Sequence, residues 1–261
     1  MDRNQSVKLY IHLSKFYQLS LNEEIFKKKK NIMQRALNTF KNDFHHISKS
    51  FLVKLYKAFY RNNMNDGKLI FNLNKSIEKH SKKLTPKDSF SVIYSNYLIN
   101  SNLNTTFFKT LLNDFVYKDK AQSLNIKTTI KFLKFLSDYN DIENKDIIID
   151  QTLSKIYKFY DKQLNNLQNV KEENVIHNLN AFPEFVSVCL KLNQQYVVLL
   201  DICKKILDCK AKFNPLYYTH IVNSSFNFNE LIDSKEHESI ITLSLQKAEN
   251  SLSTSKVKNL I

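Results

Sequence analysis

Apolar residues return at three- and four-residue spacing along almost the whole chain, while period-two alternation is rare. That pattern predicts helices that each bury one stripe. The periodic segments are short, and clusters of Asn, Asp and Ser separate them, as in "YRNNMNDGK", "NSNLNTT" and "DYNDIENKD". Each cluster offers an N-cap to the helix that follows. "LTPKDSF" carries a fuller start signal: Thr85 can cap, Pro86 suits the first helical position, and Asp88 favours the positive end of the helix dipole. Asn214 and Pro215 repeat the device, and Pro183 is placed to start a helix rather than kink one.

These signals predict helix pairs beginning near Gln5, Ile47, Pro86, Lys127, Pro183 and Pro215, with an extra helix over Glu172 to Leu179. "SFLVKLYKAFYRNN" at Ser50 and "SFSVIYSNYLINSN" at Ser89 share their apolar pattern, and "TIKFLKFLSDYND" at Thr129 continues it. A polar turn and a second helix follow in every case. Self-similarity near 40 residues built from helical hairpins marks an α-solenoid, in which stacking on neighbours completes each core. The expected fold class is all-α: one helical-repeat array over residues 1–261, of about five to six hairpins. A non-repetitive helical bundle is the alternative.

Composition excludes more than it assigns. The chain of 261 residues has one glycine, three prolines and no tryptophan. Phosphate-cradling loops and nucleophile elbows need residues that tolerate positive φ. With Gly67 alone, a P-loop, a dinucleotide fingerprint and a kinase glycine loop are excluded. Cys189, Cys203 and Cys209 lack the spacing of a zinc knuckle, and they read as reduced core thiols. His45 and His46, being adjacent, are expected to point to different faces and to form no helical metal pair. Asp146 and Asp150 read as helix-start acids, and Glu236, His237 and Glu238 as a loop or first turn. No Ser-His-acid or Cys-His arrangement is visible, so the expectation is a non-enzyme with no cofactor and no metal. No stretch is long and apolar enough for a membrane span. The N-terminal segment is acid-poor and amphipathic from Arg3 to Leu21; it is weakly like a transit peptide and reads better as a first structural helix.

The charge is +14 and uneven. Residues 1–90 hold 19 of the 39 basic side chains and 7 of the 25 acidic ones, a net of +12, which leaves +2 for residues 91–261. The scarcity of Arg and Gly beside abundant Lys, Asn, Ile and Phe is what an AT-rich genome writes, so codon composition accounts for part of the lysine excess. It does not account for the asymmetry. In "EIFKKKKNIMQRALNTFK", Ile25, Ile32, Met33, Ala36 and Phe40 are expected on one side of a helix, with Lys27, Lys30, Gln34, Arg35, Asn38 and Lys41 opposite. Lys29 lands in the apolar stripe, so either the helix starts a turn later or Lys29 snorkels. Oppositely charged partners at four-residue spacing are expected to be absent, which favours external anions. Lys75, Lys79, Lys82, Lys83 and Lys87 occupy the equivalent place one repeat later. In stacked hairpins the two basic helices would merge into one groove wall. The candidate RNA-binding residues are therefore Lys27, Lys28, Lys30, Arg35, Lys41, Lys75, Lys79, Lys82, Lys83 and Lys87, with phosphate as their target. Most of the 13 Tyr and 19 Phe fall in core phases, and Tyr56 and Tyr60 are the two whose exposure would permit base stacking.

The segment "FSVIYSNYLINSNLNTTFFKTLLNDF" resembles the heptatricopeptide-type repeats that accompany the RAP domain in organellar RNA-binding proteins. Val92, Tyr94, Tyr97 and Leu98 fit the first helix of such a repeat, and Phe107, Phe108, Leu111, Leu112 and Phe115 the second. The resemblance covers about residues 47 to 160, and no strand-rich RAP-like segment is visible. It implies a mitochondrial protein of a ribosome or RNA-processing complex. The basic third would then meet structured RNA, ribosomal RNA above all, and the near-neutral remainder neighbouring proteins. The competing expectation is a protein scaffold of a large organellar assembly without RNA contact. A third is a peripheral subunit whose basic face meets anionic lipid.

Overall fold

The computed structural model describes residues 2–16, 22–64, 66–100, 106–117, 120–165, 181–192, 196–208, 218–219, 221–222 and 233–258. Among them there are eleven α-helices and no strand. The chain is all-α. The expected helix over Glu172 to Leu179, the Pro215 start and Cys209 lie outside the described residues. Two compact units divide the chain, Met1–Leu124 and Asn125–Ile261.

The first unit contains α1 (Arg3–Leu13), α2 (Glu23–Phe40), α3 (Lys49–Arg61), α4 (Gly67–Glu78), α5 (Pro86–Asn100) and α6 (Thr106–Tyr117). The polar clusters act as caps. Asp66 accepts from the Leu69 amide at 3.1 Å, and Asn22 from the Glu24 amide at 2.7 Å. Thr85 Oγ1 accepts from the Asp88 amide at 3.2 Å while donating to the Asp88 carboxylate at 2.8 Å, so the predicted start at Pro86 is capped as the sequence expects. Consecutive helices pack as pairs, α1 on α2, α3 on α4 and α5 on α6. The first helices of successive pairs also pack, α3 lying against both α1 and α5. A helix with neighbours on two sides needs a wide apolar face. Leu52, Leu55, Tyr56, Ala58 and Phe59 of α3 accordingly lose all exposure. Tyr10, Phe40, Phe44 and Phe59 interlock edge-to-face at centroid distances of 5.7 to 6.3 Å. Such pairs contribute roughly 0.5–1.5 kcal/mol each beyond their burial.

The second unit contains α7 (Ile126–Asp138), α8 (Lys145–Asn165), α9 (Phe182–Lys191), α10 (Tyr196–Asp208) and α11 (Ser234–Lys258). Asn125 caps α7 through the Thr128 amide at 3.0 Å. Here α7 packs on α8 and α9, α8 on α10, and α10 on α11. Tyr157, Tyr160, Phe182 and Phe185 form the aromatic centre. Cys189 and Cys203 are buried free thiols, and the Tyr157 hydroxyl lies 4.0 Å from Cys189 Sγ. No described helix is long and apolar enough to cross a membrane.

One glycine does not leave the backbone without left-handed turns, because asparagine supplies them. Among the described residues, Asn63 (φ 48°) and Asn144 (φ 52°) have positive φ. After α3 the Asn63 amide donates to Tyr60 O and the Met64 amide to Phe59 O, both at 3.0 Å. This is the paired hydrogen-bond pattern that closes helices at a left-handed residue, with Asn in the place glycine usually takes.

Candidate nucleic-acid interface

The ten basic side chains singled out by sequence are all exposed. Two of them are not unpartnered. Lys27 Nζ lies 3.3 Å from Glu23 Oε1 and Lys28 Nζ 2.7 Å from Glu24 Oε1, each one helical turn back. The expectation that four-residue partners are absent is therefore corrected: α2 begins at Glu23, early enough to bring both acids onto its first turn. Exposed pairs of this kind hold their lysines loosely, at about 0.3–0.5 kcal/mol, so a phosphate could replace the carboxylate.

The apolar seam of α2 is also rotated from the predicted one. Met33, Ala36, Leu37 and Phe40 are buried, whereas Ile25 and Ile32 are 51% and 44% exposed. Lys29 lies within the stripe, as its position in the sequence predicts, and is half-buried. Its Nζ donates to the carbonyl of Phe16 at 2.6 Å, and burial lowers its pKa below that of an ordinary lysine. The helix start and the snorkelling option are thus both decided. The helix starts at Glu23, and Lys29 reaches across its neighbour to tie α2 to the chain leaving α1.

The second basic cluster is carried by α4, the turn after it and the start of α5. Lys75 and Lys79 lie at the end of α4, Lys82 and Lys83 on the one-turn 3₁₀ helix Ser81–Lys83, and Lys87 at the start of α5. The Lys83 carbonyl accepts from Lys49 Nζ at 2.6 Å, which fixes that turn to the beginning of α3. α4 packs on α3 and on the turn Phe44–His46 that follows α2.

The residues that line a cavity together are mostly not the ones the charge pattern emphasised. A cavity of about 410 Å³ opens between α1, α2 and the end of α3. Its wall combines the aromatic rings of Phe16, Phe26 and Tyr60 with the cations Lys29, Lys30 and Arg61. No carboxylate is among its described lining residues. The volume falls within the range of small-ligand sites, roughly 300–1,000 Å³. Three cations with no acid select an anion, and partly exposed rings beside them give a flat base or ring something to stack on. Tyr60 is 41% exposed and meets the requirement for stacking; Tyr56 is fully buried and does not.

Of the cavity's cations, only Lys30 belongs to the predicted set. Arg61 is the last residue of α3, and the left-handed Asn63 turns the chain after it so that Asn62 and Met64 line the cavity beside it.

A second correction concerns His45 and His46. Instead of pointing to different faces, their rings lie 4.1 Å apart, and both Nε2 atoms approach Asp43 Oδ1. They belong to a single 3₁₀ turn that ends at Ile47 in extended conformation, so both side chains are free to fold back over Asp43.

No family model, curated protein or solved structure matches the chain. The geometry is therefore what bears on its function.

Proposed function

We propose that the chain is a non-enzymatic RNA-binding protein built as an array of helical hairpins. Its assigned place is a structural component of a mitochondrial ribosome or organellar RNA-processing complex. The packing of successive first helices, α1 on α3 and α3 on α5, supports the array within the first unit. The observation that carries the RNA reading is the acid-free, aromatic-walled cavity bearing Lys29, Lys30 and Arg61 beside the exposed basic face of α2. An unstacked nucleotide presents a ring to Tyr60 and a phosphate to the cations, while Arg35 and Lys41 follow the adjoining backbone. The organelle follows from the family resemblance.

The test is sedimentation of the tagged protein from cell extract, with and without ribonuclease. It is paired with RNA binding by the quadruple variant Lys27→Glu, Lys30→Glu, Arg35→Glu and Lys41→Glu. The expected result is a heavy particle that collapses on digestion, and loss of RNA association in the variant. Retained association would remove the α2 face as the contact. A particle indifferent to ribonuclease would favour the second reading, a protein scaffold. That reading has one observation of its own: Ile25 and Ile32 stand exposed two turns apart on the same side of α2, as a protein contact would require.

A further inference from the structure

The segment joining α2 to α3 reads "KNDFHHISK". Its apolar and polar residues have opposite fates. Phe44 and Ile47 are 2% exposed, and the Phe44 ring sits between those of Phe40 and Phe59 at 6.1 and 6.3 Å. The Asp43 amide donates to Phe40 O at 2.9 Å and the Ile47 amide to Phe44 O at 3.0 Å. The turn is thus fastened to the core by its apolar residues and held open on its polar side, where Asp43, His45 and His46 gather.

Asp43 Oδ1 lies 3.4 Å from His45 Nε2 and 3.8 Å from His46 Nε2, and the three candidate donor atoms lie within 4.8 Å of one another. A tetrahedral ion with bonds of about 2.0–2.1 Å sets its donors roughly 3.3 Å apart. One edge therefore already has the spacing of a metal polyhedron. The second edge to Asp43 needs about half an ångström and the edge between the two imidazoles lies within 4.8 Å, and rotation of the exposed imidazoles closes both. The second carboxylate oxygen is occupied: Arg3 Nη1 holds Asp43 Oδ2 at 3.3 Å. That contact orients Oδ1 toward the imidazoles, as outer-shell partners of metal-binding carboxylates do.

We propose that Asp43, His45 and His46 form a binding site for a divalent transition-metal ion of the zinc type. The fourth position is open to water or to a donor from a partner. Two imidazoles with one carboxylate suit Zn²⁺, Co²⁺, Ni²⁺ or Cu²⁺, whereas Mg²⁺ and Ca²⁺ require oxygen-rich shells. The site is independent of the cavity and of RNA binding. Its function is structural, since an ion here would clamp the connection from which α2 and α3 diverge.

The probe is Co²⁺, titrated into the full chain at neutral pH and read by the visible d–d bands of a tetrahedral ion, then displaced by Zn²⁺. One equivalent of band is expected. His45→Gln, His46→Gln and Asp43→Asn should each weaken it at least tenfold, and His12→Ala, which removes an exposed imidazole on α1, should leave it unchanged. Helical circular dichroism of each variant confirms that the fold persists. Absence of the band in the native chain, or a band that survives both histidine substitutions, would overturn the assignment. The imidazoles would then be no more than intermittent ion-pair partners of Asp43.

Discussion

Tyr56 is the residue at which burial and hydrogen bonding conflict most directly. Its ring is fully enclosed between α3 and its neighbours, with Phe108 edge-on at 6.3 Å, yet its hydroxyl has no hydrogen-bond partner among the described residues. Burial drives its pKa well above the ordinary tyrosine value, as expected for a phenol that no donor or cation relieves. Taking a hydroxyl out of water without replacing its hydrogen bonds costs about 1–3 kcal/mol. Tyr56→Phe removes that cost and leaves the ring contacts in place, so it should stabilise the first unit by about 1–2 kcal/mol. For a unit of this size the melting temperature should rise by roughly 4–8 °C. The measurement is urea unfolding by circular dichroism, with Tyr60→Phe as the exposed control, expected within about 0.5 kcal/mol of the native chain. Tyr10 repeats the case. Its hydroxyl also lacks a partner among the described residues and is likewise closed off from solvent, so Tyr10→Phe should gain by a similar amount. If Tyr56→Phe instead lowers stability, its hydroxyl has a partner in the α3 seam and the reasoning is refuted.

Two further outcomes follow from the backbone and the thiols. Asn63→Gly should be neutral or slightly stabilising, while Asn63→Val should cost roughly 1–2 kcal/mol by denaturant unfolding, because a β-branched residue resists the left-handed turn at φ 48°. Burial pushes the Cys189 and Cys203 thiols from the ordinary value of 9.0 up to about 12. The folded state therefore keeps both protons where the unfolded chain releases them. This contribution to stability is complete below pH 9 and is lost as pH rises toward 12, at about 1.4 kcal/mol per pH unit for each thiol. Alkaline unfolding curves should show this fall, and Cys189→Ser/Cys203→Ser, though less stable at pH 7, should show a shallower one. At pH 8 a thiol reagent should label the Cys209→Ser variant only as fast as its second unit opens.

The helical order of the chain was readable because caps and periodicity are local. Thr85, Pro86 and Asp88 needed only each other to start α5, and Asp66 and Asn125 likewise cap the helices that immediately follow them. The orientation of each helix was less readable, since it depends on partners distant in sequence. The stripe of α2 was centred too near Ile25 and Ile32; the helix buries Leu37 together with the expected Met33, Ala36 and Phe40 and leaves the isoleucines out. The candidate site suffered in the same way. A charge pattern reports which side chains reach solvent, and all ten predicted cations do. It cannot report that Arg61, at the end of α3, lines one cavity with Lys29 and Lys30 of α2. Nor could adjacency in sequence show that His45 and His46 meet over Asp43, because that depends on the helix ending where it does.

The run of four lysines ends up in three different chemical situations, and this separates function from codon composition. Lysines written by drift on a solvated face should be interchangeable. Lys27 and Lys28 come near that description, each loosely paired with a glutamate in water. Lys29 does not, because it crosses the apolar seam to the Phe16 carbonyl and lines the cavity. Lys30 stands beside it on the same wall. Substituting methionine at each position in turn keeps the length and the helix propensity while removing one charge. If the cavity receives a phosphate, Lys29→Met and Lys30→Met should each flatten the dependence of log affinity on log salt by about 0.7, the contribution of one contact to a single strand. Lys27→Met should change it by much less, since a paired cation at the outer edge of the helix releases few counterions. Filter binding of a single-stranded oligonucleotide across a salt series measures all three. Equal slopes for the three variants would mean that position within the block is irrelevant, and the cavity would lose its claim to the anion.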